Sequence, residues 1–293
     1  MTLPAKPAFP GVPMLFHHAS PKFLSRTTTP RLAHVLLLAG LGLAVAAAIV
    51  FFAPRVASAE PTDITVRVLS KDAKFVGSSM GGARVIVRDA DTGKILAEGV
   101  TEGGTGDTGR IMHEDGGRRA TLSSEGAAKF DATIDIEVPR LVEVEVFGPL
   151  AQRQSANRVT VTQWVVPGKD ITGGDGWRVE LPGYVVDVLD PPTHVKLAGT
   201  TDKVDLRANV SLMCGCPITP GGLWDADELE VKALVTHNGE KLAPIDLAFG
   251  GEASQFAGSV PVTAPGLYDV TVYAHNPRTG NTGLDRTTFI VAK

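Results

Sequence analysis

Pro265-Gly-Leu-Tyr-Asp-Val-Thr-Val-Tyr-Ala274 is followed by a turn-rich run, Pro277-Arg-Thr-Gly-Asn-Thr-Gly283, and then by Arg286-Thr-Thr-Phe-Ile-Val291. The two flanks read as strands, because apolar and polar side chains alternate along them and residues i and i+2 of a strand share a face. The Pro/Gly/Asn-rich run between them reads as a turn. Upstream, Leu229-Glu-Val-Lys-Ala-Leu-Val-Thr-His237 alternates in the same way and ends on Asn238-Gly239, a strong hairpin signal. Val204-Asp-Leu-Arg-Ala-Asn-Val210 gives one more strand.

The pattern continues towards the amino terminus. Asp63 to Leu69, Gly82 to Arg88, Lys94 to Val100, Ala132 to Val138 and Leu141 to Phe147 each alternate, with Asp89-Ala-Asp-Thr-Gly93 as a turn between the second and third. Arg158 to Val165, Trp177 to Leu181 and Tyr184 to Leu189 follow, and no stretch beyond residue 59 shows a helical period. The expected fold is all-β, with two β-sandwich domains in tandem. Asp190-Pro-Pro-Thr193 is the sharpest break, so the expected domains are residues 60–190 and 191–293.

Two resemblances add to this reading. Gly82-Ala-Arg-Val-Ile-Val-Arg-Asp-Ala-Asp-Thr-Gly-Lys94, with Gly99-Val-Thr101 and a glycine-rich loop after it, resembles the carboxypeptidase-regulatory-like, or transthyretin-like, β-sandwich over about residues 62–150. It departs from that pattern in the long loop Glu102–Glu125. The Pro-Gly-x-Tyr strand and Gly-Asn-x-Gly turn resemble the last hairpin of bacterial immunoglobulin-like or fibronectin-III-like domains, over about residues 191–293. Both resemblances imply binding, spacing or scaffold roles rather than an activity, and such folds host many functions.

Residues 1–59 contain no Asp or Glu and carry Lys6, Lys22, Arg26, Arg31 and Arg55. Val35 to Ala53 is almost purely apolar and Ala57-Ser-Ala59 precedes Glu60. A basic region, an apolar core and a small-residue cleavage site make a secretory signal peptide. If uncleaved, residues 35–53 serve as a membrane anchor. Both readings place residues 60–293 outside the cytoplasm, in the periplasm or beyond. Taking five positive charges from the formal −4 of the chain leaves −9 for that part. A net negative domain is a poor partner for nucleic acid and for anionic membrane surfaces. The partner expected is a protein or another component of the envelope.

The two cysteines of the chain lie in Met213-Cys214-Gly215-Cys216-Pro217. Cys214 and Cys216 have three possible fates: a local disulfide, a soft-metal site, or quiet burial. In an extended strand their Cα atoms stand about 6.6 Å apart, near the upper limit for a bridge. Gly215 permits the bend that brings them closer. An oxidising compartment favours the disulfide. Left reduced, the pair suits copper(I) or zinc, with Met213 as a third ligand only if the chain kinks, or with His194, His237 or His275 folded back. Thiol–disulfide exchange ranks last, because no helix amino terminus is expected to lower a thiol pKa.

Other motif matches carry less. Gly77-Ser-Ser-Met-Gly81 fits a nucleophile elbow, but a strand and not a helix follows Ser79. Gly104-Thr-Gly-Asp-Thr-Gly109 fits a dinucleotide fingerprint without the helix it needs. Asp89 and Asp91 read as turn residues rather than calcium ligands. Asp225-Ala-Asp-Glu228 reads as a short helical turn. Trp164 and Trp177, on either side of Gly173-Gly-Asp-Gly176, read as packing residues rather than a ligand platform. Glu102–Glu125 is expected to be mobile rather than a binding loop. The sequence contains no triad of base, nucleophile and orienter, and the expected protein is a non-catalytic one.

Overall fold

The computed structural model describes residues 58–113 and 117–293. The leader or anchor expected in residues 1–59 lies almost wholly outside these. The described residues form seventeen strands and belong to one compact unit, so the fold class is all-β.

The first sandwich has two antiparallel-rich sheets. One holds β1 (Glu60–Ser70) between β4 (Phe130–Ile136) and β7 (Trp177–Leu181), with β7 parallel to β1. The other runs β3 (Ile95–Val100), β2 (Arg84–Asp89), β5 (Arg140–Gly148), β6 (Asn157–Val165). The alternation explains the packing: Ile64, Val66 and Val68 of β1 face Val85 and Val87 of β2 and Val142, Val144 and Val146 of β5 in one buried cluster. The β2–β3 turn is closed by Asp89, whose Oδ1 accepts from the N–H groups of Asp91 and Thr92 and from the Thr92 hydroxyl.

The second sandwich has β8 (Tyr184–Asp190), β10 (Lys203–Leu212), β15 (Gln255–Pro261) and β14 (Ala248–Phe249) in one sheet. The other sheet runs β9 (Val195–Leu197), β17 (Thr282–Val291), β16 (Gly266–His275), β11 (Glu230–His237), β12 (Glu240–Lys241), with β13 (Ile245–Asp246) also on β11. In strand order this is the immunoglobulin arrangement, A-B-E-D against G-F-C-C′. Tyr268, near the start of β16, is fully buried, and its hydroxyl donates to the Ala264 carbonyl at 2.9 Å. This is the tyrosine corner of such sandwiches. The Tyr268 ring stacks on Phe289 at 4.7 Å and on His237 at 4.6 Å.

Three sequence expectations are corrected. Strand Tyr184–Asp190, which the break at Asp190-Pro-Pro-Thr193 assigns to the first domain, pairs along β10 of the second sandwich. The break is where the chain crosses from β8 in one sheet to β9 in the other. Proline, which cannot donate to a ladder, suits a sheet switch as well as a domain boundary. The sandwiches meet at Leu181-Pro-Gly183 instead. The second correction concerns Glu102–Glu125, whose described parts are tied down. They contain the short helix α1 (Thr108–His113). Leu122 and Ser123 donate their N–H groups to Asp175, and Ile111 and Leu122 pack on Phe75, Ala127 and Ala128. The tryptophans give the third: Trp177 is core, but Trp164 is 66% exposed on β6, so the pair shares neither a core nor a platform.

Candidate functional site

Only Pro182 and Gly183 separate the last strand of the first sandwich from the first strand of the second. Gly183 has φ +137°, a conformation for glycine alone, and a Cβ there would strike the Met213 methyl. Its N–H donates to Asn281 Oδ1 at 2.7 Å, and Asn281 Nδ2 donates back to its carbonyl at 3.2 Å. Ser155 Oγ accepts from the Val186 N–H and donates to the Val186 carbonyl, both at 2.9 Å. Val185 and Met213 of the second sandwich are buried in the core of the first, and Ala73 of the first is buried in that of the second. The connection is therefore a packed interface and not a linker.

Two loops of the second sandwich, residues 213–229 between β10 and β11 and residues 276–281 between β16 and β17, face the turn at Asp72. Trp224 Nε1 donates to the Asp72 carbonyl at 2.9 Å, and Lys71 Nζ donates to the Thr279 carbonyl at 2.9 Å. Between them lies a cleft of about 290 Å³. Its floor is apolar, with Leu212, Ile218 and Leu229. Tyr184, Trp224 and the exposed Leu223 form its walls. The rim is polar: Asp72, Asp225, Asn276, Arg278 and Glu228, the last two paired at 2.6 Å. Asp225 caps the helical turn Ala226–Glu228 and accepts from the N–H groups of Asp227 and Gly221, which hold its carboxyl below its ordinary pKa. Burial, then the nearby Asp72 charge, push the Tyr184 phenol up, against hydrogen bonds from Asn276 and Asn281. An apolar floor with a few convergent polar groups is the make-up of a binding site. Sequence reading missed it because its residues come from segments far apart in the chain: the turn at Asp72, α1, β8, the end of β10 and the loops after β10 and β16.

The cysteines sit beside this cleft and do not open into it. Gly215, at φ +77°, bends the chain so that the Cα atoms of Cys214 and Cys216 stand 5.5 Å apart, and the sulfurs are joined as a disulfide. Both residues are buried in the second core, 2% and 5% exposed. The Met213 side chain points the other way, into the first core, so it does not join the pair as a ligand. Joined sulfurs offer a metal no thiolate, so copper(I) or zinc binding belongs to the reduced pair alone. Among the described residues no group of three His, Cys, Asp or Glu side chains converges as a metal site. His194 lies near Thr288, His237 stacks on Tyr268, and His275 ends β16 opposite Glu230, so none of the three completes a three-ligand group with the cysteines among the described residues.

The rejected motifs also have places. Ser79 lies exposed in the single turn Ser78–Met80, and Gly104 and Gly106 lead into the six-residue α1, which contains Gly109.

No protein-family model matches this chain, and no curated protein matches it. Among solved structures, the chain is similar to the fibronectin(III)-like modules of Clostridium thermocellum CbhA, at 14% identity and a TM-score of 0.26, over 78% of this chain and 85% of that one. It is similar to immunoglobulin domains 1–4 of Sidekick-1 at 9% identity and 0.21, over 80% and 51%. An engineered protein matches at 18% and 0.28, over 44% and 24%. The chain thus spans about a quarter of the engineered protein and half of the Sidekick-1 fragment. At these scores the fold class rests on the strand pairing above.

Proposed function

We propose that residues 60–293 act outside the cytoplasm as a non-catalytic binding or scaffold module of the cell envelope, with the junction cleft as the contact surface. The observation that carries this is the cleft itself: an apolar floor, two aromatic walls and a charged rim, held between two sandwiches locked by Gly183–Asn281 and Trp224–Asp72. The basic, apolar and Ala-x-Ala segments of residues 1–59 support export. The first sandwich is, in this reading, of the carboxypeptidase-regulatory-like type. Its hairpin strands β2 and β3 and the Asp89 turn support that assignment.

A photo-crosslinking side chain at Leu223, on the cleft wall, tests the reading in the intact host envelope. Leu267, exposed at the opposite end of the second sandwich, is the control. A specific adduct from Leu223, absent from Leu267 and suppressed by Trp224→Ala, is expected. Equal labelling at both positions contradicts it. The intact mass of the same preparation reports the export step: a chain starting at Glu60 is expected, or one retaining residues 35–53 if the anchor stays.

A further inference from the structure

We propose that two copies of this chain associate by antiparallel pairing of β6 with β6 of a second copy, centred on Val161. The inference starts from the edges of the four sheets. An edge strand presents unpaired N–H and C=O groups, and proteins blunt such edges with charges, prolines, bulges or shortness. Most edges here are blunted. β3 carries Glu98 and Gly99 and is bulged at Leu96, β4 carries Asp131 and Asp135, β7 carries Arg178 and Glu180, and β8 carries Asp187. β9, β12 and β14 are three residues or fewer.

β6 is different. It is nine residues long, pairs with β5 in unbroken register from Asn157 to Val165, and has Arg158 as its one ionisable side chain. Among the described residues its other edge pairs with no strand. Thr162, Gln163 and Trp164 are all exposed, which means that both faces of the strand are open there.

The strand's own sequence favours a second copy as the occupant. Opposite residues in an antiparallel pair must share parity, because N–H and C=O groups point to a given edge on alternate residues. A register centred on Val161 satisfies this and pairs all nine residues. It sets Thr160 against Thr162 of the partner copy, and Val159 against Gln163. It also sets Arg158 against Trp164, twice, by symmetry. Thr–Thr pairs and a cation over an indole are both favourable. Arg158 already lies over Phe147 at 5.5 Å and pairs with Glu145, so its guanidinium is held on the outer face where the partner's indole arrives. The two Arg158 side chains stand about 20 Å apart along the seam, from the rise per residue. The contact is isologous and closes.

The test uses protein purified from its host in its natural processed form, with its mass in solution followed against concentration. A concentration-dependent dimer is expected. Thr160→Lys with Thr162→Lys places like charges opposite each other, and is expected to weaken the dimer by roughly tenfold or more. Thr160→Glu with Thr162→Lys places opposite charges there, and is expected to keep it. Both positions are exposed, but Thr160 stands opposite Glu145 and Thr162 opposite Glu143 on β5, so the unfolding midpoint of each variant is measured beside its mass, and the two variants are compared where both remain folded. A wild-type monomer at the highest concentration reached overturns the proposal. A dimer insensitive to the double lysine change, or lost equally in the charge-swapped variant, also overturns it.

Discussion

The indole N–H of Trp224, in the second sandwich, donates to the backbone carbonyl of Asp72, in the first, at 2.9 Å. This bond closes one side of the cleft and joins the sandwiches 152 residues apart in sequence. Trp224→Phe keeps most of the ring and removes the donor, so a loss of about 1 kcal/mol is expected in denaturant unfolding. Adduct formation from Leu223 should fall with it, since the wall loses its anchor.

Gly183→Ala is expected to be among the most damaging single changes. The added methyl meets Met213, and φ +137° is closed to alanine. The double variant Gly183→Ala with Met213→Ala removes the clash but not the backbone strain. Met213→Ala alone leaves a cavity in the first core, so the double variant should be less destabilised than the sum of the two single changes, measured as midpoints of chemical unfolding.

Tyr268→Phe tests the corner. The hydroxyl donates to Ala264 and accepts, more weakly, from the N–H groups of Thr263 and Ala264. Its removal is expected to cost about 1–2 kcal/mol, while the stacked ring and the core around it stay in place.

Two aspartates give opposite pH responses. Burial raises the Asp175 pKa, but the N–H groups of Leu122 and Ser123, with Arg178, outweigh it, and the carboxyl ends below its usual value of 3.8. Its stabilising effect is present above that value and is lost as pH falls through the folded-state pKa. Asp175→Asn should therefore cost about 1–2 kcal/mol at neutral pH and progressively less below pH 3.8. Asp187 is raised by burial first and by Asp285 second. Its charge opposes folding at neutral pH, so Asp187→Asn should stabilise there, with the gain vanishing as pH falls below 3.8. Unfolding midpoints across pH check both signs.

The strands were legible because alternation reports which face is buried, and nearly every alternating run became one. Tyr268 was legible as part of Pro-Gly-x-Tyr, but its role in the corner needed the Ala264 carbonyl in space. Asp190-Pro-Pro-Thr193 misled because proline marks any interruption of a ladder, and here it marks a switch of sheets. Leu181-Pro-Gly183 carries no local pattern that sets it apart, and it is Asn281, 98 residues on, that clamps it. The cleft was invisible for the same reason: Asp72, Trp224 and Arg278 share no local pattern.

The central claim is that the two sandwiches share a packed interface across Gly183 and Trp224 and therefore unfold as one unit. Calorimetric unfolding of the naturally processed protein tests it most directly. A single transition, with the calorimetric enthalpy equal to the van't Hoff enthalpy, is the result expected. Two resolved transitions, one for each sandwich, would contradict it.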